Sequence, residues 1–306
     1  MGRILAEASL PAAVGEWVQG WIGGRESLVS LVVSWRGAVE LRVPDDGEIS
    51  NPCGEKSLRA FEKAKKIFAG SALETFPDGS RVNVINPLPV SKGLATSTMD
   101  VAGTFAACAA YAGAKLSDER LFSLCASVEP SDGIMFDGLA LVDHIKGELM
   151  ERLPGPPPMT LVAVIPRRTL DTDVYRRDVS ALKALRGYSR EHERAYDILK
   201  RGLAAGNAAL VASAATLSAE IQQGIMPKEE WDALVEARAL TGALGIAAAH
   251  SGTASGLLYA PANKFGAELA EKWLADALRA KETGVATRQT PVLGGGVFSK
   301  KTGIRA

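Results

Sequence analysis

The chain has 306 residues, 47% of them apolar and 23% charged, which suits a folded protein with a substantial core and excludes a disordered one. Its 35 basic residues balance 35 acidic ones, and no Lys/Arg stripe or run of like charge is present to attract nucleic acid or anionic lipid. A small neutral or zwitterionic substrate is the expected partner.

At the start, Met1-Gly2-Arg3-Ile4-Leu5-Ala6 runs directly into Glu7 with no apolar signal segment. The most apolar stretch, Phe105 to Ala114, is too short to span a bilayer, so the expected compartment is the cytoplasm. Cys53, Cys108 and Cys125 are few and widely spaced, which argues against a disulfide framework or a CxxC zinc site and for small buried apolar groups.

Leu28 to Ser34 and Ala38 to Val43 are rich in β-branched residues and read as a hairpin turning at Trp35-Arg36-Gly37. From Glu55 the spacing of Leu58, Phe61, Ala64 and Phe68 predicts an amphipathic helix stopping near Gly70. Arg81 to Asn86 alternates like a strand, and Ser97 to Ala112 is apolar on nearly every side, as a buried helix is. Ser117 is placed to cap a helix carrying Leu121, Leu124, Cys125 and Val128 and ending at Glu129-Pro130. Pro154-Gly155-Pro156-Pro157-Pro158 can continue neither a helix nor a central strand and marks a domain joint, giving domains at 1–155 and 156–306. Beyond it, Met159 to Ile165 reads as a buried strand, 178–240 as helices capped by Asp178, Ser189 and Pro227, and Leu244 to Ala249 as a short strand. Leu257-Leu258-Tyr259 and a last amphipathic helix from Lys264 to Lys281 follow. Strands and helices alternate in both halves, which indicates α+β or α/β architecture.

Four segments carry candidate chemistry. Pro89-Val90-Ser91-Lys92-Gly93-Leu94-Ala95-Thr96-Ser97-Thr98 joins a strand to a buried helix through small residues. Such a junction lets backbone N–H groups and the positive helix end approach phosphate oxygens, with three hydroxyls for phosphate or Mg²⁺ and a point charge from Lys92. Small hydroxyl residues are also ordinary helix caps, and the GxxxxGK[ST] spacing is absent. Glu129-Pro130-Ser131-Asp132-Gly133 sets two carboxylates around a proline, one suited to a metal and the other to a substrate hydroxyl, or else forms a solvated turn. His250 to Gly256 lets backbone approach a ligand or forms a structural hairpin. Gly15-Glu16-Trp17-Val18-Gln19-Gly20 places Glu16 and Gln19 between glycines, or is a polar turn.

Together and in this order the four segments resemble the GHMP kinases, and within them the L-threonine kinases that make L-threonine O-3-phosphate for the aminopropanol arm of adenosylcobalamin. Gly15, Glu16, Gln19 and Gly20 match a Gly-Glu-x-x-Gln-Gly element, and Lys92 to Thr98 match a Gly-Lys-Gly-Leu-Ala-Ser-Ser-Thr-like loop. Glu129 to Asp132 match a Glu-Pro-Thr-Asp-like turn, and His250 to Thr253 a His-Ser-Gly-Thr-like loop. The resemblance implies a two-domain α+β GHMP kinase fold. Its N-terminal ATP-binding domain, of the ribosomal-protein-S5-domain-2-like kind, has a left-handed βαβ crossover, and its C-terminal domain is ferredoxin-like. It further implies ATP and Mg²⁺ as cofactors, a hydroxy-amino acid as substrate, and a monomer or homodimer. By position, Pro89 and Ser91 to Thr98 would bind ATP, Ser97 and Glu129 would bind Mg²⁺, and Asp132 and Lys92 would be catalytic. Gly15, Glu16, Gln19, Ser251, Gly252 and Thr253 would surround the acceptor. Ala12-Ala13-Val14 and Trp17 depart from the threonine-kinase pattern, leaving homoserine or another small alcohol, or a silent metabolite sensor, as alternatives; Ser91 and Thr96 depart more mildly.

Overall fold

The computed structural model describes residues 3–43, 53–76, 81–169, 179–280 and 285–302. It opens with two long strands, β1 (Arg3–Ile22) and β2 (Arg25–Val43), joined in register at Ile22 and Arg25. Gly23 and Gly24 form the turn with φ of 60° and 72°, the conformation a two-residue hairpin needs and glycine supplies most readily. The expected turn at Trp35-Arg36-Gly37 is therefore incorrect: that segment lies inside β2. There the register slips between the pairs Pro11–Arg36 and Ala12–Val33, because Pro11 has no N–H to donate to the ladder.

Helix α1 (Glu55–Ile67) buries Ser57, Ala60 and Ala64, while Leu58, expected on its inner face, is 48% exposed. β3 (Arg81–Ile85) pairs with β2 and leads through the loop at 86–95 into α2 (Thr96–Ala112). Twelve residues of α2 are buried, and its small side chains let it lie close on the hairpin: a Cβ on Gly103 would come within 2.6 Å of Val39. Gly113 ends α2 in the left-handed conformation, with the Ala114 N–H bonded to Ala109 O at 2.9 Å. Ser117 caps α3 (Asp118–Ala126) by accepting from the Arg120 N–H at 3.1 Å. The helix stops at Ala126, so Glu129 and Pro130 stand in the loop beyond it. Strands β4 (Leu139–Asp143) and β5 (Glu148–Leu153), which the periodicity did not reveal, form a second hairpin beside β2.

After the proline-rich stretch come β6 (Thr160–Pro166), α4 (Val179–Gly187), α5 (Ser189–Ala204), α6 (Ala208–Gln223) and α7 (Trp231–Thr241). β7 (Gly245–Ala248), β8 (Ser255–Tyr259), α8 (Lys264–Ala280), β9 (Val285–Pro291) and β10 (Phe298–Lys301) complete the described chain. The caps differ from expectation: Tyr188 precedes α5 and Glu230 precedes α7, neither with a side-chain cap bond, whereas Asn207 caps α6 by accepting from Leu210 N–H. Asp178 lies outside the described residues.

Among the described residues ten strands make one antiparallel sheet, ordered β5-β4-β2-β1-β7-β8-β6-β9, with β3 on β2 and β10 on β1. The architecture is α+β, as expected. The β7-β8-β6-β9 portion joins β1 at one registered pair, Glu16 with Ala248. β10 returns to β1, so the last strand does not stay with the elements that follow the proline-rich stretch. One core surrounds Trp17, Phe105, Phe122 and Phe136; a second, of Val162, Leu234, Leu257 and Tyr259, lies between the later strands and α7 and α8. No helix among the described residues is long and apolar enough to cross a membrane.

Candidate active site

The loop before α2 takes the left-handed conformation at Ser91 (φ 59°), Gly93 (φ 80°) and Ala95 (φ 58°). Two of these are not glycine, a costly arrangement that persists only where surroundings impose it. The surroundings are visible. Gly15 N–H donates to Gly93 O at 3.0 Å from a bulge in β1, and the N–H groups of Thr253 and Ala254 both donate to Lys92 O, at 3.0 and 2.8 Å. The loop is thus held between the first strand and the β7–β8 connection.

With Ala95 as its N-cap, α2 begins with no side-chain cap bond, so its hydroxyls are not acting as ordinary caps. Instead they turn to the carboxylates that follow α3. Ser97 Oγ donates to Glu129 Oε1, and Thr98 Oγ1 both donates to Asp132 Oδ2 at 3.3 Å and accepts from the Asp132 N–H at 3.1 Å. Lys56, from the first turn of α1, donates to Glu129 and lies 3.3 Å from Ser97 Oγ. Sequence reading missed it, because a lysine on an exposed helix face carries no signal of its own.

These groups line a cleft of about 350 Å³ that includes Ser91, Gly93 to Thr98, Glu129, Asp132, Gln19 and Ser251. Also at its walls are Lys56, Arg59 and His144, none of them singled out from the sequence. Asp100, one turn along α2 from the hydroxyls, has its carboxyl pushed up to about 6, chiefly by burial and further by the charge of Glu129, against the opposing Asn86 hydrogen bond and Lys56 charge.

Several expected residues stand elsewhere. Lys92 is 5% exposed and its ammonium donates to the carbonyls of Arg167, at 2.6 Å, and Arg168. It points away from the cleft and, with Pro89, lines a separate cavity beside β9. Burial and the nearby Arg168 charge lower its affinity for a proton. Glu16 lies inside β1 rather than in a turn, 4% exposed, and bonds His250. Gly15 and Thr253 act on the loop through backbone. Gly252 packs against it, since a Cβ there would fall 2.4 Å from Gly93 N.

Behind this connection, Lys228 donates to Gly252 O, with burial bringing its ammonium down to about 8. Arg168 forms a two-pronged bond to Glu230, which is fully buried, and accepts on its own carbonyl from Thr253 Oγ1 at 3.2 Å. The Lys228 ammonium thus holds the Gly252 carbonyl from the rear, and the Thr253 hydroxyl is tied to the backbone of Arg168.

An uncapped helix end, three hydroxyls, two carboxylates and a cation around one cleft form a site that can bind phosphate groups and move a hydroxyl proton. Comparison with known proteins agrees. Residues 57–138 match the family described as GHMP kinases N terminal domain. An L-threonine kinase of Citrobacter freundii is 31% identical over 258 residues, 83% of this chain and 86% of that one. An L-threonine kinase of Salmonella typhimurium is 31% identical over 261 residues, 84% of each. The homoserine kinase structure from Cytophaga hutchinsonii superposes with a TM-score of 0.69 at 16% identity, covering 97% of this chain and 98% of that one. The chain belongs to the GHMP kinases, a family of phosphotransferases that act on alcohol groups.

Proposed function

We propose that this enzyme transfers the terminal phosphoryl group of ATP to the side-chain hydroxyl of L-threonine, giving L-threonine O-3-phosphate and ADP. The observation that carries the reading is the meeting of Ser97 with Glu129 and of Thr98 with Asp132 at the uncapped start of α2. The likeness to two L-threonine kinases supports the acceptor, and provision of the aminopropanol arm of adenosylcobalamin is the corresponding use of the product. The work is taken to be cytoplasmic. We place the boundary between an N-terminal ATP-binding portion and a C-terminal portion at the proline-rich stretch, 1–155 and 156–306.

The chemistry of the donors supports a magnesium site. Ser97 and Glu129 already hold a cation, the Lys56 ammonium, and one hydroxyl with one carboxylate leaves the remaining positions to phosphate oxygens and water, the hard oxygen set that Mg²⁺ prefers. Ser97 and Glu129 would hold the ion, which when bound neutralises charge on the phosphate oxygens. The backbone from Gly93 to Thr98 and the helix end bind the phosphates. The acceptor hydroxyl oxygen attacks the terminal phosphorus, and the bond from that phosphorus to the bridging oxygen breaks. ADP keeps the electron pair, and the hydroxyl proton passes to an Asp132 oxygen. Little covalent work falls to the protein in such a transfer; positioning and charge stabilisation do most of it.

ADP release measured with ATP, Mg²⁺ and a panel of L-threonine, L-homoserine, L-serine and simple alcohols tests the reading. L-threonine is expected to give the highest kcat/KM. If L-threonine releases no more ADP than a control without acceptor, the reading is wrong; preference for L-homoserine would move the chain to the activity named for its structural neighbour.

A further inference from the structure

Three segments distant in sequence meet at Arg168, just beyond the end of β6. Its carbonyl accepts from the Lys92 ammonium and from Thr253 Oγ1, the latter at 3.2 Å. Lys92 and Thr253 are themselves joined, because Lys92 O accepts from the Thr253 N–H at 3.0 Å. The three residues thus close a ring of hydrogen bonds that ties the loop before α2, the end of β6 and the β7–β8 connection to one another. The ring has little slack. Lys92 immediately precedes Gly93, and a Cβ on Gly252, immediately before Thr253, would fall 2.4 Å from Gly93 N. In packing this close a displacement of the Arg168 carbonyl is passed on to the N–H groups that follow Gly93.

The Arg168 side chain runs to a second anchor. Its guanidinium makes the two-pronged bond to Glu230, the residue before α7, with one prong at 2.6 Å. The Glu230 side chain is 0% exposed and that of Arg168 29%. Lys228, two residues earlier, donates to Gly252 O, so one short turn grips both the end of β6 and the β7–β8 connection. Neither Arg168 nor Glu230 is among the residues that line the cleft. Taking a carboxylate and a guanidinium out of water costs much of what their attraction returns, and apolar side chains of similar volume often hold a fold as well or better. What the charged pair supplies that apolar residues do not is direction. A guanidinium fork on a carboxylate fixes two parallel bonds at once, and with them the residue whose carbonyl closes the ring.

We propose that Arg168 and Glu230 are positioning residues for ATP: their bond sets the Arg168 carbonyl, which through Lys92 and Thr253 sets the loop before α2. Losing the bond weakens ATP binding and leaves the acceptor preference and the chemical step in place. The proposal rests on the kinase reading above.

The test uses the full chain with Glu230→Gln, Arg168→Lys and the double variant Arg168→Met with Glu230→Met. Calorimetry gives the Kd of a non-hydrolysable ATP analogue with Mg²⁺, ADP release gives kcat and the KM of each substrate, and urea denaturation gives stability. Glu230→Gln and Arg168→Lys each spoil the fork and are expected to raise the Kd and the KM for ATP about tenfold, the size of effect usual for residues that act on a site through others, with kcat and the KM for L-threonine within threefold. The double variant removes both charges together, so its stability is expected to equal or exceed that of wild type while its Kd for the analogue stays raised about tenfold. A merely structural pair would instead restore ATP binding along with stability. The proposal is overturned, and the kinase reading left standing, if the double variant binds the analogue within twofold of wild type, or if the loss falls on kcat or on the KM for L-threonine. Should the double variant not fold, Arg168→Lys decides: a Kd within twofold of wild type overturns the proposal, and a tenfold rise at unchanged stability supports it. Wild type that binds no ATP analogue and phosphorylates no alcohol overturns both readings.

Discussion

Glu16 Oε2 bonds His250 twice, accepting from its backbone N–H at 2.9 Å and standing 3.0 Å from its Nδ1. The other ring nitrogen, Nε2, is 3.1 Å from Ser218 Oγ, and Gln222 Nε2 donates to His250 O at 3.0 Å. All four side chains are buried and none is among the residues that line the cleft; their bonds join β1, α6 and the β7–β8 connection. Glu16 then acts by holding the connection that holds the loop before α2.

Replacing Glu16 by Ala leaves a buried imidazole and a buried N–H without their acceptor, a loss of about 3 kcal/mol. Urea denaturation is expected to show it, together with weaker ATP binding and little change in the preference among acceptors. A loss confined to the KM for threonine at unchanged stability would return Glu16 to the acceptor pocket.

Gly252 touches the loop before α2 where no side chain fits. A Cβ there would lie 2.4 Å from Gly93 N, 2.5 Å from Gly93 Cα and 2.5 Å from Lys92 C, all backbone atoms of the loop itself. Gly252→Ala must therefore displace the loop, with ATP affinity falling at least about tenfold and the melting temperature falling by several degrees. Calorimetric titration with ATP would reject the argument if Gly252→Ala bound within twofold of wild type.

The order of the motifs was readable because each depends on local residue type: small residues ahead of a buried helix, a capped helix before Glu129, glycines at 15 and 252. What could not be read was how side chains are shared between distant segments. Lys92 looks like a phosphate ligand beside Gly93, yet two carbonyls at the end of β6 take its ammonium. Lys56 looks like a solvated helix lysine until α1 packs on α2 and brings it to Glu129. The hairpin error has the same origin. Val33 and Ala38 both read as strand, and only the partner residue Pro11 shows that the interruption between them is a bulge and not a turn. Strand β4 was missed because Leu139 to Asp143 is buried throughout, without the alternation that marks a half-exposed strand.

Acid should weaken the fold through His192. Its side chain, in a residue 1% exposed, accepts from the Trp21 N–H at 3.2 Å, and burial, helped by the charge of nearby His250, brings it down to about 4. Above the ordinary histidine range the ring is neutral in both folded and unfolded chains and its packing is fully retained. As the pH falls from about 6.5 to 4 the unfolded chain takes a proton that the folded one refuses, and about 3 kcal/mol is lost. His192→Gln keeps an acceptor for Trp21 and removes the titration. Its stability measured by urea should fall less steeply over that window, by up to one proton; an identical slope would rule His192 out.

Asp132 should matter to turnover more than to binding. Its carboxylate meets Thr98 Oγ1 and its backbone is fixed by the same hydroxyl, so Asp132→Asn keeps the packing and removes the base. A loss of about 10²–10⁴ in kcat is expected with ATP affinity within a fewfold of wild type. Single-turnover measurement separates this from slow product release. A kcat within threefold of wild type would leave Asp132 with orientation alone, or with no part.

The two lysines near the loop should behave oppositely on substitution. Lys56 is half exposed, at 52%, so its ion pair with Glu129 is screened by water and contributes at most about 1 kcal/mol to stability. If, as proposed, a metal took Ser97 and Glu129, Lys56 would be released as a cation for phosphate oxygens. Lys56→Gln is expected to leave the melting temperature nearly unchanged and to lower kcat by about 10²–10³, the range typical of a lost charge-stabilising donor. Lys92, buried against two carbonyls, fixes backbone instead. Lys92→Met strips those carbonyls of their donor and should cost about 1–3 kcal/mol of stability, while the folded fraction keeps a kcat of the same order. Thermal melts beside active-site-normalised kinetics on both variants decide the assignment. If Lys92→Met folds normally but loses turnover while Lys56→Gln retains it, the catalytic cation is Lys92, and its ammonium must leave the carbonyls of Arg167 and Arg168 when ATP binds.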